Sequence, residues 1–435
     1  MQKMGNRQAT WLKTPFFYGW IITALGFMAL VASMGLRTSY GAFVTPWEND
    51  FGITRSDVGL ISAVGLVIYG IFLPVAGNLA DKIGARAVFT ASLALIGGSI
   101  VILYFAQDVW LLYLLYGITA SIGFAGASNV TASAAIVHWF HEKRGFVLGL
   151  MVTGMAFGQM VMVPISIYLI RTFDWRYTML LYGVIYLALT PVMFLLFRNR
   201  PQDVGEKPYG AQSAGEAAAA QKSERISMLD IATQIWRHPV TWLFVFMQFI
   251  CGFTDVGLIH THMVPLAEGR NFSDTLISVV TSMYAFVNIV ATLFIGYLAD
   301  RVNLVKLLSV IYLIRAGGLT LLFFAHDPFL FVMFGVFGGI TDFASIAPLT
   351  ALCSKLFGAA RVGTVFGMLS LFHQFGASAG SYVPGVIYDW TGSYSWALIL
   401  CIALLIAVSL SVLLIKEDRE IELKAGRRGK AHLSA

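Results

Sequence analysis

Twelve runs along this 435-residue chain are apolar for long enough to cross a bilayer. They fall near 16–44, 58–80, 87–106, 109–139, 145–170, 176–197, 239–266, 275–299, 304–324, 328–357, 362–388 and 393–415. One membrane helix takes roughly 20 apolar residues. Hydrophobic residues make up 58% of the chain and charged residues 12%, about half the share of a soluble domain. A soluble protein of this size has no way to hide so much apolar surface. The composition excludes a soluble enzyme, a disordered chain and a nucleic-acid binder. Open strands leave backbone groups unpaired in lipid, and the alternation of a barrel is absent. The expected fold is therefore an all-α membrane protein with twelve transmembrane helices.

The charges orient it. The net charge is +6. With both termini cytoplasmic, all but six of the 29 basic residues lie inside. Arg55, Arg171, Arg176 and Arg270 lie outside, and Arg37 and Arg315 lie within spans. Such a bias marks the cytoplasmic face. Lys3, Arg7 and Lys13 precede a first run too long for a signal-peptide core, which reads as the first span. Cys251, Cys353 and Cys401 sit in apolar stretches without metal-type spacing, so neither a disulfide framework nor a metal site is expected. No cofactor is implied.

The only long polar break, Arg198 to Arg237, holds Pro201, Pro208 and the low-complexity stretch Ala211 to Gln221. It reads as a flexible linker. The expected domains are a six-helix half over 1–197, a cytoplasmic linker over 198–237, a second six-helix half over 238–415 and a tail over 416–435. The halves repeat one another. Gly77, Leu79, Ala80 and Asp81 after span two match Gly296, Leu298, Ala299 and Asp300 after span eight. Phe140, Arg144, Gly149 and Gly158 match Phe357, Arg361, Gly367 and Gly376. The offset between matched positions is nearly constant. Two pseudo-symmetric halves in parallel repeat are a recurring plan of secondary transporters.

The segment Gly77-Asn78-Leu79-Ala80-Asp81-Lys82-Ile83-Gly84-Ala85-Arg86 resembles the loop signature of the major facilitator superfamily. A degenerate copy recurs in the second half, with Asn303 in place of Gly84. The resemblance covers the whole chain. It implies alternating access around a central site lined by spans one, four, seven and ten. It also implies gating roles for Gly77, Asp81, Gly84, Arg86, Gly296, Asp300 and Arg301. Lys82, Arg86 and Arg301 serve equally as topology determinants.

Four charged residues lie deep within spans: Arg37, Asp255, Arg315 and Asp342. Each costs roughly 3 kcal/mol or more facing lipid, so each is expected to face a cavity or a partner. Arg37 and Asp255 are separated by the repeat offset and so stand at equivalent places of spans one and seven. Arg37 is the candidate anion-binding group and Asp255 the candidate proton carrier; a direct pair between them is the other reading. Arg315 and Asp342 reach similar depth on spans nine and ten and read as a structural ion pair, with Asp342 sharing in proton movement. Tyr40, Asn129, Gln159, Tyr284, Asn288 and His373 are candidate substrate hydrogen-bonding groups. His260 and His262, near the outer end of span seven, are weaker candidates.

Tyr40 to Phe43, Thr54 to Val58 and Ile61-Ser62 look like the monocarboxylate-porter branch of that superfamily, whose basic residue on span one is near Arg37. The chain departs from it at span eight. Ser282 to Gly296 carries no charge where the branch has an Asp and an Arg. The leading expectation is a secondary active transporter of a small carboxylate-type organic anion, coupled to protons. The alternative is a proton-driven exporter of amphipathic drugs or metabolites. Neither an enzyme signature nor a Walker-type motif is present. The expected partners are a small-molecule substrate, protons and the lipid bilayer of the cell membrane, with no nucleic acid. The chain is expected to be a monomer.

Overall fold

The computed structural model describes residues 17–210, 238–358 and 362–415. Arg361, residues 211–237 of the linker and the tail over 416–435 lie outside the described residues. Among the described residues, twelve long helices carry the chain. They are α1 Gly19–Thr38, α2 Arg55–Ile83, α3 Ala85–Leu103, α4 Val109–Trp139, α5 Arg144–Phe173 and α6 Trp175–Leu196, then α7 Pro239–Gly269, α8 Asp274–Ala299, α9 Leu304–Phe324, α10 Pro328–Phe357, α11 Val362–Thr391 and α12 Ser395–Val412. Eleven are long and apolar enough to cross a membrane by length and composition. The twelfth, α11, is 30 residues long. Among the described residues there is no strand, only an isolated bridge between Phe140 and Tyr209.

The described residues form two compact units. One holds the chain to Ile53 and again from Val64; the other holds Thr54–Ala63 and the second half. In the first unit α1 packs on α5 and α3 on α6; in the second α7 packs on α11 and α9 on α12. The second set repeats the first, six helices on. Close approach explains the pairing, because small residues let backbones meet where lipid supplies no hydrophobic drive. A Cβ on Gly158 of α5 would collide with the Val31 carbonyl of α1, and one on Gly376 of α11 would collide with the Phe249 carbonyl of α7. Both members of this contact are displaced by the same offset, so the repeat is a repeated packing contact and not only a repeated motif.

Residues 198–210, expected to be flexible, are docked on the first unit. The Glu206 carboxylate accepts the Tyr18 N–H at 3.0 Å, and the Arg198 carbonyl accepts the Trp139 indole N–H at 3.1 Å. The Tyr209 N–H reaches the Trp139 carbonyl at 2.9 Å, and its ring lies 5.6 Å from that of Phe17.

Gly158→Ala and Gly376→Ala should each lower stability by about 1–3 kcal/mol, the usual cost of overpacking. Gly367→Ala, which points a methyl into open space, should leave it unchanged. Thermal unfolding in detergent checks this; equal melting temperatures for all three variants would disprove the contact.

Candidate functional site

Among the described residues, α1, α4, α7 and α10 are interrupted. After α1 the chain makes a turn at Ser39, whose hydroxyl donates to the Gly35 carbonyl at 2.7 Å, and continues as Tyr40–Phe51. Helix α4 contains the π-helical stretch Leu112–Ala120 and opens at Ala127, before Ser128 in extended conformation. Helix α7 contains the π-helical stretch Phe253–Ile259, and α10 is broken between Thr341 and Ile346. The turn at Ser39 and the α7 stretch correspond under the repeat, as do the breaks of α4 and α10. Irregular backbone at membrane depth is tolerated only where it is buried in protein or lines a water-filled cavity, and π-turns concentrate at functional sites.

The second unit gathers a buried polar cluster at these irregularities. Asp255 on the π-stretch is 3% exposed, Asp342 at the α10 break 2% and Arg315 5%. The Arg315 guanidinium lies 3.8 Å from Asp255 Oδ2. It also donates to the carbonyls of Thr341 and Asp342, the second at 2.8 Å, and to Cys251 Sγ at 3.2 Å. The Asp342 carboxylate has a donor of its own: Oδ2 accepts Asn288 Nδ2 at 2.5 Å. Asn288 Oδ1 in turn accepts the Thr292 hydroxyl at 3.2 Å.

The expected ion pair joined Arg315 to Asp342. Arg315 pairs with the carboxylate of Asp255 and meets Asp342 through the main chain. The break in α10 explains it: the last carbonyls of the first segment have lost their helical donors, and a guanidinium offers five N–H groups in a fixed fork. Oδ1 of Asp255 and of Asp342 have no hydrogen-bond partner among the described residues. One carboxylate oxygen of each of these residues and one ring nitrogen of His260 come within 4.8 Å of one another. The carboxylates outnumber the guanidinium by one charge. One proton makes the set neutral, whereas a divalent ion overshoots.

The first unit is different. Arg37 is half-buried, its guanidinium 3.8 Å over the centre of the Tyr69 ring, and it donates to Met34 Sδ at 4.0 Å. Among the described residues it has no carboxylate partner. Tyr40, 3% exposed, packs on Trp47 and Tyr116 at 5.4 and 5.3 Å between ring centres.

The other expected residues scatter. Gln159 is buried with Oε1 unpartnered, and Asn129 is exposed at the reopening of α4. Tyr284 and Asn288 are buried on α8, the latter in the Asp342 cluster. His373 is half-buried and faces Cys251. His262 is held on both nitrogens, 2.7 Å from the Ser381 carbonyl and 3.0 Å from the Tyr394 hydroxyl.

In the first loop, Gly84 has φ +90°, with Asn199 filling the place a Cβ would take. Asn199 accepts the Arg86 N–H at 2.9 Å, and Arg86 Nε donates to the Phe194 carbonyl at 2.8 Å, so Arg86 ties α3 to the end of α6. Gly77 approaches Val130, and Asp81 lines a polar cavity of about 300 Å³ with Lys82, His138, Arg200 and Asp203. In the second loop Asn303 takes φ −63° and caps α9 through the Lys306 N–H at 2.9 Å. Gly296 there meets no neighbour among the described residues, Asp300 is exposed and Arg301 stacks on Tyr297 at 3.7 Å.

A twelve-helix frame of two repeated halves, with charged groups buried at broken helices, defines a secondary transporter. The sequence profile of the Major Facilitator Superfamily matches residues 25–273 and 250–435, and the chain belongs to that family. It is 22% identical to the uncharacterized MFS-type transporter YcxA of Bacillus subtilis, over 88% of this chain and 91% of that one. It is 24% identical to monocarboxylate transporter 2 of Rattus norvegicus, over 95% and 88%. The crystal structure of a D-xylose-proton symporter shares the fold, with TM-score 0.71 and 16% identity over 92% and 99% of the two chains.

Breaking a buried pair from one side leaves an uncompensated charge and typically costs about 3–5 kcal/mol. Arg315→Met should show that loss in chemical unfolding. Adding Asp255→Asn should recover part of it. A double variant as unstable as the sum of the singles would show that the two do not interact.

Proposed function

We propose that this chain carries a small organic anion of the carboxylate class by alternating access, coupled to protons, as an integral protein of the cell membrane with both termini cytoplasmic. Arg37 is the observation that carries this reading. A guanidinium held within a membrane helix without a carboxylate partner among the described residues favours an anion, and the planar fork of a guanidinium suits bidentate contact with a carboxylate. The 24% identity to a protein named as a monocarboxylate transporter supports the same substrate class. Tyr40, Gln159, Asn129, Tyr284, Asn288 and His373 are the proposed hydrogen-bonding candidates, and the loop residues Gly77, Asp81, Gly84, Arg86, Gly296, Asp300 and Arg301 the gating ones. Protons enter through Asp255 and Asp342, whose neighbouring carboxylates, when ionised, are acceptors only and need a proton between them.

A ligand-stabilisation screen on purified protein tests the substrate class. Pyruvate, lactate and acetate should raise the melting temperature of the wild type. Arg37→Ala should weaken the response roughly ten- to a hundred-fold in concentration, the worth of a charged hydrogen-bonded contact. Arg37→Lys should recover it only in part, because an ammonium cannot form the bidentate fork. If cationic amphiphiles stabilise the protein instead, and Asp255→Asn abolishes their effect, the chain exports amphipathic compounds. Uptake into proteoliposomes should rise with an inward proton gradient; indifference to the gradient would remove proton coupling.

A further inference from the structure

Asp255 and His260 are five residues apart. On an α-helix with 3.6 residues per turn, that spacing puts them roughly 140° apart around the axis. The chain does not continue as an α-helix there. Phe253–Ile259 is π-helical, and the His260 N–H closes on the Asp255 carbonyl, the i to i+5 bond of that geometry. The wider turn returns His260 to the side of Asp255. Its Nε2 then lies 3.8 Å from Asp342 Oδ1, and the ring is buried at 8% exposure. The insertion therefore has a side-chain consequence: it adds an imidazole to a pair of buried carboxyl groups whose Oδ1 atoms lack partners among the described residues.

We infer that His260 is the third titrating member of this site, the group that hands the coupling proton to Asp342 and takes it back. The inference rests on the proton reading of Asp255 and Asp342 given above. In the forward step the Nε2–H bond of the imidazolium breaks and an O–H bond forms at Asp342 Oδ1, leaving a neutral ring and a neutral carboxyl. An approach of about 0.6 to 1 Å closes the hydrogen bond that carries the proton.

The titratable and charged groups around this site are Asp255 and Cys251 from α7, Tyr284 from α8, Tyr312 and Arg315 from α9, Asp342 from α10 and His373 from α11. Arg315 does not release its proton, and a tyrosine ordinarily keeps its proton at neutral pH. The Cys251 sulfur already receives the Arg315 N–H. His373 faces Cys251. Imidazole is the side chain suited to exchange a proton near neutral pH.

Infrared difference spectroscopy of the full-length protein in lipid, titrated across pH 4 to 9, tests this without a substrate. The wild type should show the carbonyl band of a protonated buried carboxyl, lost in Asp342→Asn, and titrating in two steps as coupled groups do. His260→Gln should keep the band, lose one step and move the remaining midpoint by one pH unit or more. A His260→Gln titration superimposable on the wild type overturns the inference and leaves the carboxyl proton in place. Absence of the band from the wild type overturns the proton reading itself. Isotope-labelled histidine in the wild type reads the imidazole bands directly if His260→Gln does not fold. Ring bands that do not change with the carboxyl band would equally refute the role.

Discussion

A main-chain carbonyl released inside a membrane has no water to turn to, and the second half is organised around one that has been released. Helix α10 stops at Thr341 and resumes at Ile346. The carbonyls of Thr341 and Asp342 are taken by the Arg315 guanidinium. Once a guanidinium is committed there, its charge needs an anion, and Asp255 supplies it from the π-stretch of α7. The Asp342 carboxylate needs a donor of its own, which Asn288 provides. Each residue of the cluster answers a demand created by its neighbour. The demand begins with a broken helix, not with a charge looking for a partner.

The two halves share a frame and differ in what the frame holds. The contact of Gly158 with Val31 and that of Gly376 with Phe249 are the same contact, displaced along the chain by the repeat offset. Yet the first unit carries one cation stacked on Tyr69, and the second carries a set with two carboxylates and one guanidinium. Backbone geometry is repeated because glycine contacts and helix lengths constrain it. Charge is not, because a substitution at a tolerated irregularity leaves the packing intact.

Much of this was legible in the sequence. Spans were visible because crossing lipid demands an uninterrupted apolar run, and the repeat because Gly158 and Gly376 are required by the same close approach. The breaks were not visible, since Phe253–Ile259 and Asp342–Ser345 lie inside runs whose apolarity says nothing of hydrogen-bond register. That hid two things. Depth alone could place Arg315 beside Asp342, but only azimuth around the helix distinguishes Asp255 as its ion-pair partner. The five-residue spacing of Asp255 and His260 reads as two faces of an α-helix. The Asn303 substitution for Gly84 did carry a signal: the second loop takes negative φ there, while the first needs the left-handed conformation. The docked stretch 198–210 was hidden by its prolines, one of which, Pro201, is buried.

The geometry of Asp342 connects charge to shape. Its carbonyl and its carboxylate serve different partners, Arg315 and Asn288, on helices α9 and α8. A change of protonation on the carboxylate alters its pull on Asn288 without touching the carbonyl. A change in the α10 break moves the carbonyl and the Arg315 that binds it, and with Arg315 the charge that balances Asp255. The carboxylate and the carbonyl of one residue thus tie Asn288 on α8 and Arg315 on α9 to the same break in α10. An ion pair on an unbroken helix has no such lever, because its backbone carbonyls are already satisfied within the helix. The break in α10 is what frees the Asp342 carbonyl for Arg315 while the carboxylate of the same residue serves Asn288.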